Sequence, residues 1–340
     1  MNEKQLNIGI AGLGFMGVTH FKALQEISGA RVSALYSRDS AKRAGDFRSV
    51  RGNFGGGGGM QDLTGIATYA DYGDLLADKQ VDAVDLCLPT AQHADAAIRA
   101  LEAGKHVILE KPIALNLEQA DAILAAEKRA GRLCLVAHVL RYFPEYALIR
   151  QLRDEGGLGP LCAAHFRRSI AQPDWRGADA AEDNGGPVVD LHIHDADFVR
   201  FLFGEPQSFS ARGARGSTGE VAHIHTLYHY PDGPLVSAEG GWLCPPSLPF
   251  IQGYEVFFAK GMLHFDSASG RPPLLHTPAG QREPTLKGDA FRDELAAAIG
   301  FIRRGDPHSA LSAASARASL DLVLREEAAA REGWSRGSAP

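Results

Sequence analysis

Short apolar runs alternate with amphipathic stretches through the first 137 residues of the chain. The first run, residues 8–11, has the length of a buried parallel strand, and Val18, Phe21 and Leu24 then recur at helical spacing. Similar runs predict strands over residues 31–36, 81–88, 106–109 and 133–137, with helices over 93–103 and 117–130. Strands that alternate with helices in this way predict an α/β fold with a parallel sheet.

The pattern changes after residue 138, where strand-like runs follow one another without helices between most of them. They cover residues 161–169, 207–212, 221–230, 234–242, 253–259 and 261–266. Turn residues such as those at 231–233 separate neighbouring runs, which is typical of antiparallel strands. Helices are predicted over 146–155, 187–203, 291–304 and 312–332. We therefore expect two domains, residues 1–138 and residues 139–340, the second an α+β domain with a large, mainly antiparallel open sheet.

Helices would cover one face of that sheet and leave the other face open. An open sheet face is a usual route to self-association, so we expect a homo-oligomer, either a dimer or a tetramer.

A glycine motif joins the first predicted strand to the first predicted helix. Gly12, Gly14 and Gly17 fit the spacing Gly-x-Gly-x-x-Gly, with Phe15 and Met16 inside it. In the dinucleotide-binding motif the first glycine permits a tight turn, the second lets the backbone approach the pyrophosphate, and the third lets helix and strand pack closely. A merely flexible turn is the alternative. The strand and helix on either side favour a dinucleotide site, and with it an N-terminal Rossmann domain with a doubly wound parallel sheet.

The end of the second strand bears on which dinucleotide binds. An acidic residue there binds the ribose 2′-hydroxyl of NAD, whereas a nearby arginine suits the 2′-phosphate of NADP. The chain has Ser37 and Arg38 at this place, followed by Asp39. This favours NADP, while Asp39 keeps NAD as an alternative and a solvated Arg38 with no ligand is a third reading.

A glycine-rich segment over residues 52–59 resembles a phosphate loop only superficially. No strand precedes it and no Lys-Ser or Lys-Thr pair follows it, so the parts of a P-loop are missing. We expect a linker loop at the edge of the sheet, away from the cofactor.

Composition narrows the class of protein further. The 340 residues are 45% hydrophobic and 22% charged, which is ordinary for a globular protein, and the net charge of −6 argues against binding nucleic acid. No apolar run approaches the roughly 18 residues of a membrane span, and residues 1–6 carry no apolar signal segment. The four cysteines form no Cys-x-x-Cys pair. A cytoplasmic protein with reduced thiols and no membrane partner is the expectation.

A second informative stretch lies in the helix predicted over residues 187–203. Asp190, His194 and Asp197 follow at i, i+4 and i+7, which places them on one stripe of a helix. A carboxylate one turn from an imidazole can orient it for general acid–base chemistry near neutral pH. A cationic Lys111, at the end of the 106–109 strand, would polarise the reacting oxygen. A buried structural histidine and a surface Glu110–Lys111 pair are the alternatives.

With these motifs, the sequence resembles the glucose–fructose oxidoreductase/inositol dehydrogenase (Gfo/Idh/MocA) family over nearly the whole chain. The resemblance rests on Gly-Leu-Gly-Phe-Met-Gly at 12–17, on Ala-Gly-Lys-His-Val-Ile-Leu-Glu-Lys-Pro at 103–112, and on Gly185-Gly186 followed by Asp190 and His194. Arg-Tyr-Phe-Pro at 141–144 also fits. The resemblance implies an oxidoreductase that uses NADP or NAD to exchange a hydride with a sugar, cyclitol or related polyol. It also implies that Lys111 is the active-site lysine, Asp190 its acidic partner and His194 the acid/base.

The resemblance and the motifs together define the expected binding sites. We expect the cofactor to contact Gly12, Gly14, Phe15, Met16, Gly17, Ser37, Arg38, Pro89, Thr90, His93, Glu110 and Lys111. We expect the substrate to contact Lys111, Arg141, Trp175, Arg176, Asp190 and His194, with Trp175 as a core residue the alternative. The family also implies a cis peptide at Lys111–Pro112. Thr90 is a departure, because the family often has asparagine there.

Two groups of histidines fit this picture less well. His192 points away from His194 on a helix, so structural packing is favoured over a substrate contact. His223, His225 and His229 share one face of a strand, but no carboxylate or cysteine accompanies them, and an oligomer or solvent face explains them as well. We therefore predict no metal.

Two other classes of function remain to be compared with a dehydrogenase. A hydrolase or lyase of the same fold would keep its NAD bound and oxidise the sugar only transiently. A non-catalytic sensor would bind the dinucleotide but would have no need of Lys111, Asp190 and His194 together.

Overall fold

The computed structural model describes residues 5–52, 58–172 and 184–335. It divides into two compact units, Met1–His138 with Ala290–Arg317, and Val139–Asp289 with Ala318–Pro340. The break falls after His138, the last residue of the first expected domain. Residues 290–317, which were expected in the second domain, belong instead to the first unit.

Fourteen strands and nine helices are present among the described residues. The strands are β1 Leu6–Ala11, β2 Ala30–Tyr36, β3 Ala67–Tyr69, β4 Ala83–Leu86, β5 His106–Glu110, β6 Cys134–Ala137, β7 Leu161–Ala171, β8 Ser208–Arg215, β9 Val221–His229, β10 Leu235–Cys244, β11 Ile251–Phe258, β12 Gly261–Asp266, β13 Leu274–Thr277 and β14 Gly280–Arg282. The helices are α1 Phe15–Gln25, α2 Ser40–Arg43, α3 Tyr72–Ala77, α4 His93–Glu102, α5 Leu117–Ala130, α6 Pro144–Glu155, α7 Ile193–Phe203, α8 Ala290–Arg304 and α9 Ala313–Ser335.

The first unit is built on a six-stranded parallel sheet in the order β3-β2-β1-β4-β5-β6. This is the strand order of a Rossmann sheet, so the predicted doubly wound fold is confirmed. The order reverses between β1 and β4, and ligands of open α/β sheets bind at the carboxyl ends of the strands at such a point. The core strands β1, β4 and β6 are buried along most of their length because both sheet faces are covered.

Helix α8 explains why the chain returns to the first unit. It packs against α1, and its buried stripe is made of Leu295, Ala298, Ile299 and Ile302. The next residues pair with the edge of the same sheet, since the Val136 N–H donates to the Leu311 carbonyl at 2.7 Å. Amphipathic spacing predicted this helix, but spacing alone does not say which sheet the apolar stripe covers.

The second unit contains an eight-stranded sheet in the order β14-β13-β12-β11-β7-β10-β9-β8. Its neighbours are antiparallel except β7 and β10, which run parallel. The predicted open, mainly antiparallel sheet is therefore confirmed. Side chains alternate between a buried face and a partly exposed face, as in β7, where Phe166 is buried and its neighbours His165 and Arg167 are half-buried.

An aromatic cluster fills the core between this sheet and its helices. Tyr146 of α6 packs edge-on against Phe198 of α7 and Tyr254 of β11, with ring centroids 5.3 and 5.2 Å apart. Phe166 and Phe265 complete the cluster.

Among the described residues, no helix combines the length and the apolar character needed to cross a membrane.

Candidate active site

The three glycines of the motif meet the demands of a dinucleotide turn. Gly12 has a φ of +96°, and a Cβ there would lie 2.6 Å from the Cys87 carbonyl oxygen. A Cβ on Gly17 would lie 1.9 Å from the Gly12 carbonyl oxygen, so helix and strand approach too closely for any side chain. Gly14, by contrast, faces open space, with no atom within 4 Å of the position a Cβ would take. Only this middle glycine leaves room for a ligand beside the backbone.

Helix α1 begins directly after Gly14 and presents its N-terminus at this opening. No side chain caps that end, and its first turn, which starts with Phe15 and Met16, contains no acidic residue. The helix end therefore keeps its positive dipole unneutralised, which favours an anionic group such as a pyrophosphate. Together with the open position at Gly14, these features fit a dinucleotide cofactor.

The start of the glycine-rich segment lies against this motif. A Cβ on Gly52 would fall 2.0 Å from the Phe15 ring, so Gly52 packs on the aromatic face. The expectation that the segment lies away from the cofactor motif is therefore wrong at its first residue. Residues 53–57 lie outside the described part of the chain.

The end of β2 separates the roles of Ser37, Arg38 and Asp39. Arg38 is exposed, while Ser37 is buried and its Oγ accepts the Asp39 N–H at 3.2 Å. The Asp39 carboxylate accepts the N–H groups of Ala41 and Lys42 at 2.9 and 3.4 Å, so it caps α2. Both N–H groups bond to the same oxygen of Asp39, Oδ1.

The same region contains an arginine that the sequence analysis missed. Arg43, in the last turn of α2, donates from Nη1 to the Ser37 carbonyl oxygen at 2.6 Å. The contact was not predicted because Arg43 lies six residues beyond Ser37 in the sequence. A basic residue in the last turn of the helix that follows Asp39 could have indicated it.

The ends of β4 and β5 are joined by the buried His93. Its Nδ1 lies 2.8 Å from the Pro112 carbonyl oxygen and its Nε2 lies 2.9 Å from that of Leu88. Both ring nitrogens thus face backbone carbonyls, so His93 supports these strand ends rather than reaching towards a cofactor. The Lys111–Pro112 peptide is cis, as expected. Pro89 leads into a short 3₁₀ turn in which Thr90 is buried.

Glu110 takes part in a buried charged cluster that the sequence analysis also missed. His20 of α1 places Nδ1 3.0 Å from an oxygen of Asp85 and Nε2 3.1 Å from Oε1 of Glu110. The Lys111 N–H donates to the other oxygen of Glu110 at 3.1 Å. Cys87 lies beside the ring, with Sγ 3.5 Å from Nδ1. Two features of the sequence could have indicated this cluster. Asp85 is an acid inside an apolar strand run, and His20 lies one helical turn after Gly17.

The electrostatics of this cluster favour a charged imidazole ring. Burial alone lowers the pKa of His20, but Asp85 and Cys87 outweigh burial and raise the pKa well above the usual value for histidine. Burial likewise opposes ionisation of Glu110, yet His20 and Lys111 overcome it and lower the pKa of that carboxyl. Burial and the Asp85 charge raise the pKa of the Cys87 thiol to about 12.

In the second unit, a π-helical turn over Val188–His192 precedes α7. Every residue from 186 to 199 is buried except Asp190 and His194, which are both half-buried. The two candidate catalytic side chains therefore share the one accessible strip of this segment. The expectation that Asp197 lies on the same strip is wrong, because Asp197 is fully buried. His194 and Asp197 lie together in α7, after the π turn, and Asp197 is buried because it bonds to Arg141 and Ser319.

Asp197 is instead the partner of Arg141. The Arg141 guanidinium donates from Nε and Nη2 to the two Asp197 oxygens at 2.8 and 2.5 Å, and the Ser319 hydroxyl donates to Oδ1 at 2.5 Å. Arg141 also stacks over the Phe201 ring at 4.9 Å. This buried bidentate pair explains Arg141 as a structural residue, and we do not retain it as a substrate contact.

The remaining candidates from the sequence are His192, the three histidines of β9, Trp175 and Arg176. His192 is fully buried with Nε2 2.9 Å from Glu326 Oε2, which confirms the predicted structural role. The one grouping of described residues able to hold a metal consists of His20, Asp85 and Cys87, and none of the three β9 histidines belongs to it. Trp175 and Arg176 lie outside the described residues.

Comparison with known proteins agrees with this fold. Residues 6–138 match the oxidoreductase family described as an NAD-binding Rossmann fold, and residues 146–264 match the GFO/IDH/MocA C-terminal domain. The chain belongs to the GFO/IDH/MocA oxidoreductase family.

Similar proteins include enzymes of sugar and cyclitol chemistry. The myo-inositol 2-dehydrogenase of Thermotoga maritima is 26% identical over 322 residues, covering 89% of this chain and 90% of that protein. The 1,5-anhydro-D-fructose reductase of Ensifer adhaerens is 33% identical over 236 residues, covering 63% of this chain and 69% of that protein. The crystal structure of a probable dehydrogenase from Thermotoga maritima shares the fold with a TM-score of 0.77 at 24% identity, covering 96% of this chain and 97% of that one.

Proposed function

We propose that this protein is an NADP-dependent dehydrogenase or reductase that acts on a CH–OH group of a sugar, cyclitol or related polyol. The observation that carries the proposal is the accessible strip formed by Asp190 and His194 within an otherwise buried segment. A buried pair would be structural, whereas a carboxylate and an imidazole one turn apart at a surface can move a proton to or from a bound hydroxyl. The inositol dehydrogenase and sugar reductase among the relatives support this substrate class.

The proposed cofactor is NADP, held by the glycine turn and by the basic end of β2. Gly12, Gly14 and Gly17 with the first turn of α1 would bind the pyrophosphate. Ser37 and Arg38 would recognise the 2′-phosphate, and the capping role of Asp39 is what favours NADP over NAD. The bound dinucleotide supplies or accepts the hydride. Phe15, Met16, Pro89 and Thr90 remain proposed contacts, whereas Glu110 and His93 are assigned a supporting role at the strand ends.

Three side chains would divide the remaining chemistry. In the oxidation direction His194 accepts the proton of the substrate hydroxyl, and Asp190 orients His194 and stabilises its protonated form. Lys111 stabilises the negative charge that develops on the same oxygen. In the reduction direction His194 returns the proton. Trp175 and Arg176 remain proposed substrate contacts, because an aromatic face stacks on sugar C–H groups.

We also propose that the protein is a cytoplasmic homo-oligomer, a dimer or a tetramer, assembled through the outer face of the eight-stranded sheet. On that face Leu235 and Leu243 of β10 and Phe257 of β11 are 64%, 55% and 38% exposed in the single chain. Leu235 and Phe257 both pair with Ala163 of β7, so they form one apolar row across three strands. A second copy of the chain would cover this row. Sedimentation velocity of the wild type and of Phe257→Asp tests the assignment, with a monomeric wild type as the contrary result.

The function is tested by turnover of a panel of sugars and cyclitols with NADP⁺ and with NAD⁺. Absorbance at the nicotinamide band should change in proportion to product for at least one polyol. Product formation without any change at that band would instead indicate the hydrolase or lyase chemistry in which the cofactor is restored at each turnover. Dinucleotide binding with no turnover of any substrate would indicate a sensor.

A further inference from the structure

The cluster of His20, Asp85, Cys87 and Glu110, called here the His20 cluster, lies at the carboxyl ends of β4 and β5 beside α1. His20 and Asp85 are fully buried and Glu110 is 7% exposed. The four residues come from α1, from β4 and the residue just after it, and from the end of β5. The glycine-turn helix and two strand ends thus meet at one imidazole ring.

The ring faces a carboxylate on each side. Asp85 approaches Nδ1 with both oxygens, at 3.1 and 3.0 Å. Glu110 lies 3.1 Å from Nε2 without forming a hydrogen bond to it, so this second contact is an ion pair rather than a directional bond. A neutral imidazole donates from one nitrogen only, which would leave one buried carboxylate facing a lone pair. A doubly protonated ring instead presents an N–H to each of two ionised carboxylates, and this is the state that the geometry favours.

Glu110 connects the charged His20 ring to the backbone of Lys111. While Oε1 is held by the His20 charge, Oε2 accepts the Lys111 N–H. The backbone position from which the Lys111 side chain starts is thus fixed by a carboxylate whose own position depends on His20. Loss of the charge on His20 would release the carboxylate and, with it, the strand end.

We propose that His20 is a positioning residue which, as an imidazolium, holds Glu110 and thereby orients Lys111 for hydride transfer. The proposal rests on the proposed function for its kinetic consequence, but not for the charge state of the ring. The other use of these groups would be a metal site, because the ligand atoms of His20, Asp85 and Cys87 lie within 4.8 Å of one another. A metal on Nδ1 would displace the proton that the ion pair with Asp85 requires, so the two assignments exclude each other.

The charge state is tested on the full-length wild-type protein without substrate. Nitrogen-15 NMR of histidine-labelled protein at pH 8 should show an imidazolium signal that is absent from the His20→Gln spectrum, which assigns that signal to His20. A neutral His20 at pH 8 overturns the proposal. Stoichiometric zinc in the purified wild type that is lost in Cys87→Ser also overturns it, in favour of a metal site.

The positioning role is tested by kinetics with the cofactor and the polyol that turn over best. His20→Gln and Glu110→Gln should each lower kcat about 10–100-fold and leave the KM for the polyol within about threefold, because a misplaced group costs rate more than binding. The double variant should be no slower than the slower single variant, since both act through one link. The exposed His308→Gln, between α8 and α9, is the matched control and should keep wild-type rates.

Additive losses in the double variant would show that His20 and Glu110 act independently and would overturn the positioning role. If no substrate is found, or if His20→Gln does not fold, the NMR measurement on the wild type still decides the charge state. Failure of the proposed function is thereby distinguished from failure of this inference.

Discussion

Arg43 donates a hydrogen bond from Nη1 to the carbonyl oxygen of Ser37, with the two atoms 2.6 Å apart. This contact holds a second guanidinium at the end of β2, where Arg38 is already exposed. The one acid at this point, Asp39, is engaged with the N-terminus of α2. The local charge is therefore positive where an adenosine ribose would lie in a Rossmann fold, which suits a 2′-phosphate better than a 2′-hydroxyl.

Replacing either arginine should weaken the binding of NADPH and leave that of NADH almost unchanged. A hydrogen bond to a charged group contributes about 1.5–3 kcal/mol, so Arg38→Ala and Arg43→Ala should each raise the Kd for NADPH about 10–100-fold. Calorimetric titration of both cofactors measures the effect. Arg48→Ala, which removes an exposed partner of Asp46, is the control and should bind both cofactors normally. Equal affinities of the wild type for NADPH and NADH would contradict the assignment.

The buried pair of Arg141 and Asp197 makes a prediction about stability rather than about substrate. Arg141→Leu leaves the Asp197 carboxylate buried without its guanidinium partner, and breaking a buried pair in this way typically costs about 3–5 kcal/mol. We expect a clear fall in the thermal midpoint, measured by circular dichroism. Arg325→Leu breaks the exposed pair with Asp321 and should have little effect. An unchanged midpoint together with a raised KM for the polyol would return Arg141 to the substrate site.

Much of the first unit follows from local sequence. A glycine turn between a strand and a helix, and the residues at the carboxyl ends of parallel strands, are determined by short-range patterns, so Gly12–Gly17 and Lys111 could be placed in advance. The accessible pair Asp190 and His194 was also predicted, although the π turn that carries it was not. A π turn is set by packing against the sheet, and hydrophobic periodicity does not reveal it.

What the sequence analysis missed depends on contacts between distant residues. Arg141 and Asp197 are separated by 56 residues, and His20 and Asp85 by 65. Each of these residues reads as an ordinary polar position until its partner is known. The short strands β3, β13 and β14 were also missed, because three or four residues carry too little alternation to identify a strand.

The cysteines should differ widely in their reactivity. The thiolate is the reactive form, and raising the pKa of Cys87 from 9.0 to about 12 lowers its thiolate fraction at pH 8 about 10³-fold. Cys162 is exposed and should react first with iodoacetamide, while Cys87 and the buried Cys134 stay unmodified. Peptide mass spectrometry over a time course measures this order. Labelling in denaturant should remove the difference, and equal rates for Cys87 and Cys162 in the native protein would show that the His20 cluster is open to solvent.

The division of labour between His194 and Lys111 can be read from the pH dependence of oxidation. A general base must be deprotonated to act, so the rate should rise with pH through the range in which imidazole titrates. Loss of either residue is expected to cost about 10²–10⁴-fold in rate, which means that the size of the loss cannot separate the two roles. The two roles are separated by the acidic limb of the pH profile, which is the range over which the rate rises with pH. It should disappear in His194→Ala, where the residual rate no longer depends on an imidazole, and remain in Lys111→Met, where only the charge on the reacting oxygen is lost.

The control for this experiment is His308→Ala, which removes an exposed histidine between α8 and α9 and should keep both the rate and the limb. Asp190→Asn should shift the limb to lower pH, because loss of the neighbouring carboxylate makes the protonated form of His194 less stable. An acidic limb that survives in His194→Ala, or one that vanishes in Lys111→Met, would assign the proton transfer to another group. The second result in particular would make Lys111 the base, and Asp190 and His194 would then serve to hold the substrate rather than to move its proton.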